Sequence, residues 1–186
     1  MKKKTLTICA MLAAAMAFLA AGCKEKEAVE TVKQETALET PAPGGAPAGY
    51  AKTGYYFKLP NYKGGDVDLE TYAGKPVLVM FFTENCPYCR KAAPFINSVH
   101  EKYASKGLPV IGISVRDGAE SARGFAEDFN LKFDLAYKGG PVSRKYGIQG
   151  VPFIYLLDKN HERIKTWPGY DESYDADIEA KIQKVI

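Results

Sequence analysis

The chain has 186 residues and a formal net charge of +3, all of it accounted for by Lys2, Lys3 and Lys4; beyond them, 22 acidic residues are matched by 22 basic ones. So even a balance lacks the electrostatic footprint of a protein that binds nucleic acid, and no such partner is expected.

Read from its start, the chain shows three lysines, an apolar run from Leu6 to Leu19, and the small residues Ala20, Ala21 and Gly22. That order is the pattern of a secretory signal peptide over residues 1–22. The run is short for a membrane-spanning helix, which takes about 20 apolar residues. Cys23 follows directly, and the segment resembles the lipobox of bacterial lipoproteins, although Ala20 stands three before the cysteine and Leu19 one step further out. The resemblance implies that Cys23 becomes the lipidated first residue of the mature protein. The plain alternative is ordinary cleavage nearby, leaving Cys23 a free thiol.

Residues 23–49 form a linker. They are polar and rich in Glu, Lys, Thr and Ala up to position 40, and then read Pro-Ala-Pro-Gly-Gly-Ala-Pro-Ala-Gly. Such composition cannot build a core. As a coil it would span about 30 Å, taking roughly 5 to 6 Å times the square root of the residue count. Residues 50–186 then suit one domain with one core.

Within that domain, Tyr55 to Leu59 and Val67 to Leu69 pattern as a hairpin joined through Gly64-Gly65. Val77-Leu78-Val79-Met80-Phe81-Phe82 has no polar member and is too short for a buried helix, so it reads as a strand covered on both faces. A helix from Pro87 to Tyr103, a strand Val110 to Val115, a helix Ala119 to Phe129 and a short strand Phe133 to Leu135 follow. This alternation is that of βαβ units. After a short helix near Ser143 to Tyr146, the strand Phe153 to Leu157 turns at Asp158-Lys159-Asn160 into Glu162 to Thr166, and Asp175 to Val185 closes the chain as an amphipathic helix. The expected fold is α/β, with a central mixed sheet flanked by helices and an N-terminal hairpin.

Of four cysteines, Cys9 lies in the signal and Cys23 at the lipobox, which leaves Cys86 and Cys89 for chemistry. They sit where a buried strand gives way to a helix. Residues i and i+3 in the first helical turn are neighbours at roughly 5 to 6 Å, near the Cα separation of about 5.5 Å that a disulfide prefers. The pair can therefore close and reopen with little backbone movement. Unpaired N–H groups and the positive end of the helix dipole favour a thiolate there, more so at Cys86 than at Cys89. Arg90 and Lys91 either add positive potential or form a solvated helix face.

Other readings of the pair are weaker. Zinc would need two more ligands, and His100, eleven residues beyond Cys89 on the same helix, lies about 16 Å along it at 1.5 Å per residue. No metal is expected. An inert disulfide closing so short a loop would remove little unfolded-state entropy. Thr83-Glu84-Asn85-Cys86 has the Thr-x-x-Cys spacing of peroxiredoxins, but the proline expected earlier in that motif is absent, with Val79, Met80 and Phe81 there instead.

Cys86-Pro87-Tyr88-Cys89 after a hydrophobic strand, Pro94 five residues beyond Cys89, and Tyr146-Gly147-Ile148-Gln149-Gly150-Val151-Pro152 before an apolar strand resemble the thioredoxin superfamily. Within it they resemble extracytoplasmic thiol-disulfide oxidoreductases of the TlpA/ResA type. The resemblance implies that Cys86 and Cys89 are catalytic and form a redox-active disulfide. It further implies that Pro152 is cis and faces them, and that Pro87, Tyr88, Val151 and Pro152 line the substrate surface. Departures are Asn85, where tryptophan usually precedes the first cysteine, and Met80, where a buried acid or amide is expected. The proton acceptor for Cys89 is thereby unassigned, and Glu84 reads as a solvated loop residue.

The resulting expectation is an enzyme without cofactor or metal, held by lipid to the outer face of a bacterial membrane or in the periplasm. It would exchange dithiol for disulfide with protein thiols. Reduction is favoured, with cytochrome c maturation among the implied uses and a membrane electron-transfer protein of the DsbD or CcdA kind as donor. A disulfide-forming oxidase, a thiol peroxidase and a non-catalytic surface adaptor are the alternatives.

Overall fold

The computed structural model describes residues 50–186. The expected signal segment, Cys23 and the expected linker lie outside the described residues.

Two short strands, β1 (Lys58–Pro60) and β2 (Asp66–Asp68), pair antiparallel as the expected hairpin. Its turn carries Gly64 and Gly65 at φ 103° and 69°, a region glycine enters without a Cβ clash. The paired strands are shorter than the sequence pattern, although the Phe57 carbonyl still accepts the Leu69 N–H at 3.1 Å just beyond them, and Phe57 and Tyr55 pack into the core on this face. A second sheet of five strands follows the order β5-β4-β3-β6-β7. These are β3 (Val77–Phe82), β4 (Val110–Ser114), β5 (Asp134–Ala136), β6 (Phe153–Leu157) and β7 (Arg163–Pro168). β3 pairs parallel with β4 and antiparallel with β6, so the sheet is mixed as expected.

All six residues of β3 are buried, which is why its run carries no polar member. Successive side chains of a strand point to opposite faces, and β3 feeds two cores accordingly. Leu78, Met80 and Phe82 meet α1 (Pro87–Tyr103), α2 (Ala119–Asp128) and α4 (Asp175–Ile182). Val77, Val79 and Phe81 meet the hairpin and Tyr146, which caps the short helix α3 (Gly140–Lys145). Met80, at the position where the resemblance implies a buried acid or amide, is an ordinary core residue at 2% exposure. Pro94 lies on the exposed side of α1, which continues through it.

Only glycine fits at position 139. A Cβ there would come within 2.3 Å of Ile113 Cγ2 and 2.7 Å of the Ser114 carbonyl oxygen. Gly139→Ala should therefore lower stability by about 1 to 3 kcal/mol, read as a lower urea midpoint at constant slope. An unchanged midpoint would mean that the β4 end has room to move.

Candidate functional site

β3 ends at Phe82, and three residues, Thr83 to Asn85, carry the chain to Cys86. Because β6 runs antiparallel to β3 with Phe153 opposite Phe81, the segment entering β6 meets the segment leaving β3. This register brings together residues 65 apart in sequence: the Cys86 thiol donates to the Val151 carbonyl oxygen at 3.4 Å. The Val151–Pro152 peptide bond is cis. Pro152 is buried and Val151 partly so. The Pro152 carbonyl is taken by the Gly169 N–H at 2.8 Å.

Cys86 stands at the N-cap of α1, just outside the first turn in which the spacing by itself predicts it. Its backbone is extended, at φ −75° and ψ 116°, and its sulfur accepts the Cys89 N–H at 3.2 Å. A capping side chain ordinarily supplies oxygen to the unpaired N–H groups of the first turn; here a sulfur does so. Pro87 occupies the first helical position, where its missing N–H costs nothing.

The two thiols differ sharply. Cys86 is half-buried, whereas Cys89 is fully buried in the core beneath α1, and both are free. Burial first, and then its hydrogen bond to the Cys86 sulfur, push the Cys89 thiol far above the usual cysteine range, with the Thr83 backbone acting in the opposite sense. Tyr88, between them, is 63% exposed and Pro87 is exposed as well. A cleft of about 380 Å³ runs alongside, between Gly147, the 149–153 segment and Pro168-Gly169. Val151 and Pro152 line this cleft, and Pro87 and Tyr88 are exposed at the start of α1.

Three basic or acidic neighbours are placed differently from a simple electrostatic reading of the motif. Arg90 donates to Asp128 at 2.7 Å and to the Glu84 carbonyl at 3.3 Å, and it lies over the Phe129 ring. Lys91 pairs with Glu172 at 3.3 Å. Both side chains are thus engaged on the solvated face of α1. Glu84, read from sequence as a solvated loop residue, is instead partly buried, and its carboxylate accepts from the Ser121 hydroxyl. That bond holds the Glu84 carboxyl below its ordinary range. Ser121 in turn contacts Ser114 at 2.9 Å, and both serines are buried. Nothing in the local sequence of either serine marks it as a neighbour of the dithiol loop, because the contact depends on how α2 packs.

A larger cavity, about 430 Å³, lies between Tyr72, His100, Phe133 and Asp134. Asp134 and Val110, another lining residue, open the strands β5 and β4, which run parallel to β3. The cavity is therefore at the end of the sheet opposite the dithiol, and none of its lining residues borders the two sulfurs.

Residues 52–168 match the AhpC/TSA family. The thiol-disulfide oxidoreductase ResA of Bacillus thuringiensis subsp. konkukian (strain 97-27) is 28% identical over 130 residues, 69% of this chain and 74% of its own. Peroxiredoxin Q, chloroplastic, of Sedum lineare is 34% identical over 113 residues, 56% of this chain and 60% of its own. Among solved structures, a putative thiol:disulfide interchange protein DsbE from Chlorobium tepidum superposes with a TM-score of 0.66 at 27% identity, over 70% of this chain and 92% of that one. The chain belongs to the AhpC/TSA family and is a thioredoxin-like thiol-disulfide oxidoreductase of the TlpA/ResA kind.

Proposed function

We propose that Cys86 and Cys89 are the redox-active pair, and that the protein uses them to reduce protein disulfides outside the cytoplasm. One observation carries this reading: a half-exposed Cys86 sulfur caps α1 beside the Val151 carbonyl, while Cys89 is fully buried one turn inward. In the forward step the Cys86 thiolate attacks a partner disulfide, one partner sulfur leaves as a thiol, and a mixed disulfide forms. Cys89 then gives up its proton and attacks the Cys86 sulfur. The second partner thiol is released and the Cys86–Cys89 disulfide is left. Two electrons have moved to the partner, and a membrane protein of the DsbD or CcdA kind would restore them. Pro87, Tyr88, Val151 and Pro152 form the surface on which the partner lies.

The direction is tested by the reduction potential. A value near −270 mV supports a reductase, and one near −120 mV an oxidase. Cytochrome c maturation is one use of a reductase in this compartment, and reduction of a Cys-x-x-Cys-His apocytochrome peptide would support it. A second reading, a thiol peroxidase, is favoured by the Thr83-x-x-Cys86 spacing and by the likeness to a peroxiredoxin. It requires peroxide consumption that survives Cys89→Ser when an external thiol is supplied. A non-catalytic adaptor requires that replacing both cysteines leave function intact.

Lipid attachment at Cys23 and the division into signal 1–22, linker 23–49 and domain 50–186 belong to the same proposal. Among the described residues no helix is long and apolar enough to cross a membrane. The mature protein should partition into the detergent phase, and Cys23→Ala should release it or block processing. Recovery of the variant in the detergent phase, processed and in wild-type proportion, would overturn the anchor.

A further inference from the structure

Next to the dithiol, three polar side chains form a line that the exchange chemistry does not use. The Arg116 N–H donates to Ser114 Oγ at 3.2 Å, and Ser114 Oγ lies 2.9 Å from Ser121 Oγ. The Ser121 hydroxyl hydrogen goes to the Glu84 carboxylate. Since a hydroxyl has one hydrogen to donate, Ser121 must accept from Ser114, and the whole line points one way, from the Arg116 amide toward the carboxylate. Both serines are buried, Ser114 at 0% and Ser121 at 6% exposure. Buried hydroxyls are held to their partners because losing one leaves an unsatisfied group.

The line ends in the loop that carries the nucleophile. Glu84 is held a second time through its own carbonyl, by Arg90, which also pairs with Asp128. Ser121 and Asp128 both belong to α2. One helix therefore grips this loop at two points, directly through the Glu84 carboxylate and through Arg90 at its backbone. Two residues later the chain must place the Cys86 sulfur between the Cys89 N–H and the Val151 carbonyl.

We infer that Glu84 and Ser121 are positioning residues for Cys86, which hold the 83–85 loop so that the two sulfurs remain poised for each other. The inference rests on the proposed role of the dithiol. Loosening the loop lowers the effective concentration of one thiol at the other, so the intramolecular disulfide becomes easier to reduce. The hydrogen-bond acceptor at position 84 matters here, and its charge does not.

The test uses the full chain equilibrated with reduced and oxidised glutathione. Two glutathione thiols open the Cys86–Cys89 disulfide, leaving the protein dithiol and one glutathione disulfide. Ser121→Ala and Glu84→Ala should each shift the equilibrium constant toward the dithiol by about tenfold, a change of about 30 mV for this two-electron couple. Ser121→Thr and Glu84→Gln, which keep the donor and the acceptor, should stay within about twofold of the unmodified protein. Thermal unfolding of each variant is followed in parallel. Alanine variants that melt lower but keep the original constant would show a purely structural bond and overturn the inference. A Glu84→Gln as shifted as Glu84→Ala would overturn it too, since charge would then be the cause. If the unmodified protein fails to equilibrate with glutathione at all, the dithiol reading falls, and this inference with it.

Discussion

Cys86→Ser should abolish turnover without trapping any partner, whereas Cys89→Ser should accumulate a Cys86 mixed disulfide with its substrates. The asymmetry follows from burial. Cys86 is half-exposed at the helix cap, while Cys89 lies at 0% exposure, with its thiol pushed up by desolvation and by the neighbouring sulfur. Only the thiolate is a nucleophile, so the outer sulfur must attack first and the inner one can act only on a disulfide already delivered to Cys86. Replacing an attacking sulfur by a hydroxyl should cost about a thousandfold or more in rate. Alkylation gives an independent check: below neutral pH the reagent should label Cys86 well before Cys89. If Cys89 is labelled first, or if partners are trapped only by Cys86→Ser, the roles are reversed.

The largest effect on stability is expected at Phe82. It is fully buried and stacks on Phe125 with ring centroids 4.3 Å apart. Its carbonyl accepts the Val115 N–H at 3.1 Å, at the point where β3 releases the chain into the dithiol loop. Phe82→Ala should remove about 3 to 5 kcal/mol, a large share of the roughly 5 to 15 kcal/mol typical of a domain. The cavity lies under α1 and α2, so Cys89 should also become accessible to thiol reagents in the folded variant. Tyr88→Ala, at an exposed position, should change stability by less than about 0.5 kcal/mol. Urea unfolding of the two variants decides the matter, and a loss below about 1 kcal/mol for Phe82→Ala would show that the core collapses to fill the space.

The elements whose bounds were legible in sequence are those fixed by local signals. β3 and β6 span the residues their apolar runs marked, Val77–Phe82 and Phe153–Leu157. α1 begins at Pro87, where proline suits the first helical position, and runs to Tyr103 as its pattern indicated. Elements bounded by pairing were less legible. β5 runs over Asp134–Ala136 rather than from Phe133, because Asp134 is the first residue in register with Ile111. β7 extends to Pro168 because Trp167 and Pro168 face Ile154 and Phe153 across the ladder. The short 3-10 helix at Leu69–Tyr72, started by the Asp68 side chain accepting from the Glu70 N–H, carried no apolar periodicity to announce it.

The sequence by itself determined the pair Cys86 and Cys89, their place at a strand-to-helix junction and the strand that buries the approach to them, because three-residue spacing and apolar runs are properties of a short stretch of chain. Resemblance alone pointed to the 151–152 segment as a neighbour of that pair, and tertiary structure decided the contacts that the pair and the residues around it make. Val151 reaches Cys86 through the antiparallel register of β6 on β3. Ser121 reaches Glu84, and Asp128 reaches Arg90, because α2 packs against the same face of the sheet as α1. Read alone, Glu84 is a solvated charge and Arg90 either that or a source of positive potential at the dithiol, since a charged side chain's partner is chosen by the packing of elements distant in sequence and leaves no local trace.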